Sequence, residues 1–242
     1  MAKRIVFFVY GSFCYLIFFG TFLYAVGFIG GFGVPTTLDG APRGPFWSAI
    51  AIDAGLLLFF ALQHSIMARR WFKEAWTRIV PKPLERSTYV LFSSLALILL
   101  FWQWRPLGGG VWSVEDQMWR TILRSLFGFG WGLVLLSTFL INHFDLFGLR
   151  QVWLYLRGRP YTTLGFATPG PYRLVRHPLY VGWLFAFWMT PHMSFAHLLF
   201  SVATTAYILL AIQFEEKDLA REYGSAYEEY RRSVPMLIPF KR

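Results

Sequence analysis

Residues 179–214 read LYVGWLFAFWMTPHMSFAHLLFSVATTAYILLAIQF, and this apolar run decides the fold. A membrane span needs about 20 mostly apolar residues, so the run is too long for a single span. Pro191, within Thr190-Pro191-His192, prevents one uninterrupted helix, because proline lacks the amide hydrogen and clashes with the preceding turn. We therefore predict a helical hairpin, in which a short arm over residues 178–190 is followed by a longer helix.

Four further apolar runs precede this hairpin, and each is about long enough to be a membrane span. They are Ile5–Phe32, Phe46–Met67, Tyr89–Trp104 and Ile122–Ile141. The first run is too long for the apolar core of a signal peptide and lacks a convincing cleavage site, so we expect it to be a retained anchor. The fold predicted is an all-α, polytopic membrane bundle of four spans plus the C-terminal hairpin, which gives five to six membrane helices.

The composition excludes an ordinary soluble domain and a disordered chain. Of the 242 residues, 56% are hydrophobic, 20% are aromatic and only 15% are charged, whereas a soluble domain carries about 25% charged residues. The one cysteine, Cys14, rules out an internal disulfide. The net charge of +10 arises from cations that lie between the apolar runs. We therefore expect membrane lipid, and no nucleic acid, as a partner.

The distribution of Lys and Arg predicts the orientation. The N-terminus holds two of these residues, residues 68–87 hold six, residues 143–177 hold five and residues 215–242 hold six, which makes 19 of the 23. These segments alternate along the predicted topology, so the positive-inside rule places them in the cytoplasm. Both termini are then cytoplasmic. No repeat and no linker divides the chain, and we expect one domain over residues 1–242.

Ionisable side chains collect at the cytoplasmic ends of the predicted spans. Such groups are costly beside a membrane and usually mark a functional site. They are His64, His143, Asp145, Arg176, His177, Glu215 and Glu216. We predict that they line a pocket open to the cytoplasm.

The sequence Arg176-His177-Pro178 predicts a helix start. Proline suits the first helical position, so His177 is expected to be the N-cap residue. A helix N-terminus beside an arginine is suited to a carboxylate or phosphate. Gly182, one turn further, lets a ligand or another helix come close. The alternative is a membrane-entry cap in which Arg176 snorkels towards water.

The segment that begins at Glu215 predicts the opposite wall of the pocket. Neighbouring helical residues point about 100° apart, so Glu215 and Glu216 are expected to have different roles. One stripe of the helix holds Glu216, Leu219, Tyr223, Tyr227 and Tyr230, which predicts an amphipathic helix on the cytoplasmic surface. Either glutamate would accept hydrogen bonds from ribose hydroxyls or pair with an ammonium group. The alternative is a solvated charge run, which we favour for residues 217–222.

Several motifs carry a resemblance to a known family. Arg176-His177-Pro178-x-Tyr180-x-Gly182, followed by Glu215-Glu216-x-x-Leu219 and Tyr223-Gly224-x-x-Tyr227, resembles the C-terminal signature of the integral-membrane methyltransferases. That superfamily includes the isoprenylcysteine carboxyl methyltransferases and the phospholipid methyltransferases. More narrowly, the whole chain resembles the bacterial methanethiol S-methyltransferases, which make dimethyl sulfide. This resemblance rests on residues 22–28, 85–89, 101–106 and 138–151 as well.

The resemblance implies S-adenosylmethionine as cofactor, bound by residues 172–239 between the Arg176-His177-Pro178 start and the two glutamates. The cofactor-binding residues it implies are Tyr172, Arg176, His177, Tyr180, Gly182, Glu215 and Glu216. It also implies a bacterial inner-membrane enzyme with its active site facing the cytoplasm and a small volatile thiol as substrate. Two alternatives are an enzyme that methylates a lipid or an isoprenylcysteine, and a non-enzymatic membrane sensor or assembly protein. The oligomeric state is left open.

Methylation of methanethiol needs a group that removes or stabilises the thiol proton. An alkanethiol is a weaker acid than cysteine, whose pKa is about 8.5, so at neutral pH it is almost fully protonated. The candidates are His64, His143 and Asp145, acting either as a hydrogen-bonded base pair or as ligands of a metal that acidifies the thiol. Tyr89 is a further candidate donor near the same face.

Overall fold

The computed structural model describes residues 1–240, and most of them are helical. The helices are α1 (Ala2–Gly30), α2 (Phe46–Ala68), α3 (Arg70–Trp76), α4 (Lys82–Gln103), α5 (Gln117–Ile141), α6 (His143–Leu146), α7 (Leu149–Leu156), α8 (Pro178–Trp188), α9 (Phe195–Tyr223) and α10 (Ser225–Ser233). A 3-10 turn covers Gly170–Arg173. Two short strands, β1 (Trp112–Ser113) and β2 (His192–Met193), form an antiparallel pair.

Five of these helices, α1, α2, α4, α5 and α9, are long and apolar enough to cross a membrane. The chain is therefore an integral membrane protein with a polytopic helical fold, as predicted. Helix α8 has 11 residues, which gives a length of about 16 Å at 1.5 Å per residue. That is too short for a hydrocarbon core of about 30 Å. The predicted hairpin of a short arm and a long helix is confirmed.

The turn between α8 and α9 is tied to the segment that precedes α5. Trp112 pairs with Met193 and Ser113 pairs with His192. The indole nitrogen of Trp112 also donates a hydrogen bond to the Thr190 carbonyl oxygen over 3.1 Å. The sequence does not predict this strand pair, because strands of two residues show no periodic pattern.

The described chain forms two compact units. The first unit contains residues Met1–Gly108 and Asn142–Thr163, and the second contains Gly109–Ile141 together with residues 164–240. The expectation of one domain over residues 1–242 stays a prediction.

In the first unit, α1 packs against α4 and α7, and α2 packs against α4. A buried cluster of Met67, Tyr89 and Val90 joins α2 to α4, and Phe18 and Phe147 are among the side chains that pack against it. This cluster fixes the N-terminal half of α4 against the end of α2.

In the second unit, two glycines let α5 and α8 approach closely. A Cβ atom added to Gly182 would lie 2.7 Å from the Gly130 carbonyl oxygen, and one added to Gly130 would lie 2.7 Å from the Gly182 carbonyl oxygen. The space that Gly182 leaves open is therefore filled by α5. Of the two neighbours expected for Gly182, a ligand or a helix, the helix is the one in contact with it.

The predicted amphipathic helix is interrupted. Helix α9 ends at Tyr223, Gly224 adopts φ 55° and ψ −129°, and α10 begins at Ser225. Only glycine adopts this backbone conformation readily. The stripe from Glu216 to Tyr230 is therefore divided between two helices, which turns Tyr227 and Tyr230 relative to Glu216.

We predict that Gly130→Ala destabilises the protein by roughly 1–3 kcal/mol, because the new methyl group overlaps backbone atoms of α8. Gly132→Ala is the matched control, since a Cβ atom at Gly132 has no neighbour within 4 Å. Thermal unfolding in detergent micelles measures both variants. Equal unfolding temperatures for the two variants would show that the α5 and α8 contact is not tight.

Candidate active site

The start of α8 is held by the C-terminal tail. His177 is the N-cap residue and Pro178 takes the first helical position, as predicted. The backbone amide of Arg176 donates to the Pro235 carbonyl oxygen over 2.8 Å, and that of His177 donates to the Met236 carbonyl oxygen over 3.2 Å. The position of the helix start is therefore set by the tail.

The guanidinium of Arg176 is occupied within the protein. Its Nε donates to Glu216 Oε1 over 2.8 Å, and Nη2 lies 2.8 Å from the same oxygen. Its Nη1 donates to the carbonyl oxygens of Arg231 and Val234, over 3.0 and 2.6 Å. Arg176 is predicted to help bind an anion, whereas in the structure its donors already bind the Glu216 carboxylate and the carbonyl oxygens of Arg231 and Val234.

His177 binds the same carboxylate from the N-cap position. Its Nε2 lies 3.1 Å from Glu216 Oε1. The side chain of Glu216 is only 11% exposed, and that of Arg176 is equally buried. We call these three residues, Arg176, His177 and Glu216, the carboxylate cluster. It is a buried, charge-assisted connection between the start of α8 and the end of α9.

Glu215 has a different environment from its neighbour. Its side chain is 45% exposed, and its Oε2 accepts a hydrogen bond from the Tyr180 hydroxyl over 2.8 Å. The His177 Nδ1 atom lies 3.9 Å from the same oxygen. Glu215 and Glu216 therefore face different ways, as helical geometry predicts, and Glu215 is the glutamate that a ligand can reach.

Three tyrosines surround the carboxylate cluster. The Tyr230 hydroxyl donates to the Tyr172 carbonyl oxygen over 2.6 Å, and the Tyr172 hydroxyl donates to the Ser137 carbonyl oxygen over 3.4 Å. Burial raises the pKa of Tyr230 to about 12 and also raises the pKa values of Tyr172 and Tyr227. The Tyr227 hydroxyl is buried and has no hydrogen-bond partner within residues 1–240. All three phenols are therefore protonated at physiological pH.

The predicted catalytic residues all lie in the first unit. His64, on α2, forms the centre of one group: the Tyr89 hydroxyl lies 2.9 Å from its Nε2, and the Ser93 hydroxyl lies 3.1 Å from its Nδ1. The Phe60 ring stacks on the imidazole at 5.3 Å. His64 and Tyr89, predicted separately, are thus brought together, while Ser93 was not foreseen.

His143 has a different partner. Asn142, at φ 96°, caps α6 by accepting a hydrogen bond from the Asp145 amide, and this sets the position of His143 at the start of the helix. The His143 Nε2 lies 2.8 Å from the Tyr15 hydroxyl. Burial lowers the pKa of His143, so its ring is neutral at physiological pH. Tyr15 was missed, because one tyrosine in an aromatic-rich span has no distinguishing sequence signal.

Asp145 is held in an ion pair. Its Oδ1 lies 2.9 Å from Arg150 Nη1, and its Oδ2 accepts a hydrogen bond from the Tyr161 hydroxyl over 3.2 Å. Arg150 also donates to the Thr162 carbonyl oxygen over 2.8 Å. The predicted trio of His64, His143 and Asp145 is therefore distributed over three sets of partners rather than joined as one hydrogen-bonded base pair.

Across residues 1–240, no three His, Cys, Asp or Glu side chains are placed to hold a metal ion together.

Sequence comparison identifies the family. The chain is 60% identical over 231 residues to a methanethiol S-methyltransferase of Crocosphaera subtropica, which covers 96% of this chain and 91% of that protein. It is 51% identical over 238 residues to a methanethiol S-methyltransferase of Mycobacterium tuberculosis, covering 98% of each. The chain belongs to the methanethiol S-methyltransferase family. Human Nurim is a more distant relative, 33% identical over 179 residues, covering 70% of this chain and 68% of Nurim.

Two other comparisons give no match. No protein-family model matches the chain. No solved structure matches it.

We predict that Glu216→Gln lowers the free energy of unfolding by about 1.5–3 kcal/mol, because two buried donors lose a charged acceptor. Glu215→Gln is the matched control. Its side chain is half exposed, so we expect a change within about 0.5 kcal/mol. Thermal or chemical unfolding of the two variants in the same micelles measures the difference, and equal stabilities would contradict the structural role of the cluster.

Proposed function

We propose that the chain transfers the methyl group of S-adenosylmethionine to methanethiol and releases dimethyl sulfide. The observation that carries this proposal is identity of 60% and 51%, over nearly the whole chain, to proteins named methanethiol S-methyltransferase. In the reaction, the thiolate sulfur forms a bond to the methyl carbon while the bond from that carbon to the sulfonium sulfur breaks. S-adenosylhomocysteine leaves, and the thiol proton passes to a base.

The methyl donor is proposed to bind in the second unit, within residues 172–239. S-adenosylmethionine carries ribose hydroxyls, an ammonium group and a carboxylate. Glu215, half exposed and oriented by Tyr180, suits a hydroxyl or ammonium group as a charged acceptor. The N-terminus of α8, with His177 as its cap, suits the carboxylate.

The other predicted donor-site residues have supporting roles in this proposal. Arg176 and Glu216 are bound to each other, so they position the start of α8 beside Glu215. Tyr172 anchors the 3-10 turn through Tyr230 and Ser137. Gly182 allows α5 to pack against α8.

The acceptor thiol is proposed to lose its proton to His64, assisted by Tyr89. His143, paired with Tyr15, is the second candidate base. Asp145 is neutralised by Arg150 and keeps the segment after α6 in place. Methyl transfer from a sulfonium to a thiolate removes a positive and a negative charge together, so a dry environment favours the reaction once the thiolate exists.

The protein is proposed to reside in the bacterial inner membrane with both termini and the active site on the cytoplasmic side. This topology requires the hairpin of α8 and α9 to enter and leave the membrane on that side. Most of the Lys and Arg residues fall in the segments that this topology places in the cytoplasm.

The direct test is a product assay. Purified protein in lipid nanodiscs is supplied with methyl-labelled S-adenosylmethionine and, in separate reactions, methanethiol, phosphatidylethanolamine or an isoprenylcysteine analogue. We expect label in dimethyl sulfide. Label in a lipid or prenyl product only would assign the alternative acceptor, and absence of cofactor binding would favour a non-enzymatic role.

We predict that Glu215→Gln weakens binding of S-adenosylmethionine by about 10- to 100-fold, since a hydrogen bond to a charged group contributes about 1.5–3 kcal/mol. Glu229→Gln is the control, because Glu229 is an exposed glutamate on α10. Equilibrium dialysis with labelled cofactor measures both affinities. If Glu215→Gln binds as tightly as Glu229→Gln, Glu215 does not contact the cofactor.

We predict that His64→Gln lowers the transfer rate at neutral pH by about 10²- to 10⁴-fold, the usual contribution of a general base. Raising the pH should restore much of the rate, because solvent then supplies the thiolate, and cofactor affinity should not change. His192→Gln, at an exposed histidine, is the control. A rate that stays low at every pH would assign His64 a structural role only.

A further inference from the structure

Arg86 is a cation next to Tyr89. It lies near the start of α4, about one turn before Tyr89. Its Nε donates to the Leu146 carbonyl oxygen over 2.7 Å, and its guanidinium carbon lies 5.1 Å from the centre of the Tyr89 ring. A guanidinium has five N–H donors, so one hydrogen bond fixes its position and leaves the others for a ligand.

The positive charge of Arg86 is not cancelled by a neighbouring carboxylate. Throughout residues 1–240, no Asp or Glu oxygen lies within ion-pair distance of Arg86. Asp145, one residue before Leu146, is already paired with Arg150 and Tyr161. A partly buried cation without a counter-ion favours an anion beside it.

The surroundings of Arg86 suit a small apolar molecule with one polar atom. Tyr89 belongs to the buried cluster of Met67, Tyr89 and Val90, whose outer layer includes Phe18, Trp76 and Phe147. The Trp76 indole nitrogen is a buried donor without a partner in the described chain, and so is the acceptor Gln63 Oε1. Gln63 reaches the cluster through a 2.9 Å contact from Nε2 to the Met67 sulfur.

We propose that Arg86 binds the acceptor as its thiolate, with the methyl group of the thiol against the aromatic side chains around Tyr89. This inference rests on the proposed function and names the group that holds its acceptor. The S–H bond breaks, the proton passes to His64, which contacts Tyr89, and the electron pair stays on the sulfur beside the guanidinium. A cation within about 4–6 Å of an acid lowers the pKa of that acid by about 1–3 units.

The same charge selects the class of acceptor. Methylation of a thiolate removes a negative charge, whereas methylation of an amine creates a positive one. Arg86 stabilises a thiolate acceptor and repels the cationic product of amine methylation. The site is therefore specific for small anionic nucleophiles over lipid amines.

The test compares Arg86→Gln, Arg86→Lys and the control Arg70→Gln, whose arginine side chain is 93% exposed. Initial rates with methanethiol are measured across pH, together with cofactor affinity. Arg86→Gln should lower the rate at neutral pH by about 10- to 1000-fold and move the pH profile upward by about 1–3 units. Arg86→Lys should recover part of the loss, Arg70→Gln should match the wild type, and cofactor affinity should be equal in all.

Competition by thiocyanate, a small soft anion, gives a second readout. Thiocyanate should compete with methanethiol in the wild type and should compete at least tenfold more weakly in Arg86→Gln. Absence of competition in the wild type, or a pH profile of Arg86→Gln that matches the wild type, overturns the role of Arg86. A wild type that makes no dimethyl sulfide at all overturns the proposed function instead.

Discussion

A carboxylate at the end of an apolar helix must be paired, because an unpaired buried charge is costly in a low-dielectric environment. Glu216 meets this requirement through Arg176 and His177, and the arrangement of the second unit follows from it. The two partners are adjacent at the start of α8, and their backbone amides are bound to the tail at Pro235 and Met236. One buried carboxylate thus fixes the end of α9, the start of α8 and the path of the chain after α10.

The carboxylate cluster also determines what the neighbouring residue can do. Because Glu216 faces inward, Glu215 is turned about 100° away, and Tyr180 fixes its carboxylate. An oriented, reachable carboxylate beside a helix N-terminus presents an acceptor and a set of amide donors together. Those are the groups that an amino acid attached to a nucleoside requires, which is the physical basis for proposing the donor site there.

The first unit holds a different set of polar groups. Near Tyr89, the Asp145 carboxylate is held by Arg150, His143 is uncharged, and Arg86 has no carboxylate partner in the part of the chain that the structure describes. Such a set favours an anionic nucleophile over a cationic one. Aromatic side chains around Tyr89 exclude water, which strengthens this preference.

The large features of the fold could be read from the sequence because they depend on local rules. Pro191 ends α8, Pro178 begins it, and the lengths of the apolar runs predict the spans. Features set by contact between distant segments could not be read. The approach of Gly130 to Gly182 is of this kind.

In the candidate site too, some features follow from local sequence motifs and others depend on contacts between distant segments. Sequence motifs indicated Arg176, His177, Glu215 and Glu216. They also predicted that Arg176 would be open to an anion, whereas in the structure Arg176 is bound to Glu216. Hydrogen-bond partners are a property of the packed structure, so the pairing of His143 with Tyr15 left no trace in the sequence pattern. Sequence motifs indicate which residues belong to the candidate site, and packing decides which of their polar atoms remain available to a ligand.

The central claim is that the carboxylate cluster stays intact while Glu215 and the start of α8 receive the methyl donor. A structure of the purified protein bound to S-adenosylhomocysteine tests it most directly. We expect the ligand within hydrogen-bond distance of Glu215 and of the first amides of α8, with the Arg176 to Glu216 pair unchanged. A ligand that replaces Arg176 at Glu216, or that binds without contact to Glu215, would contradict the account.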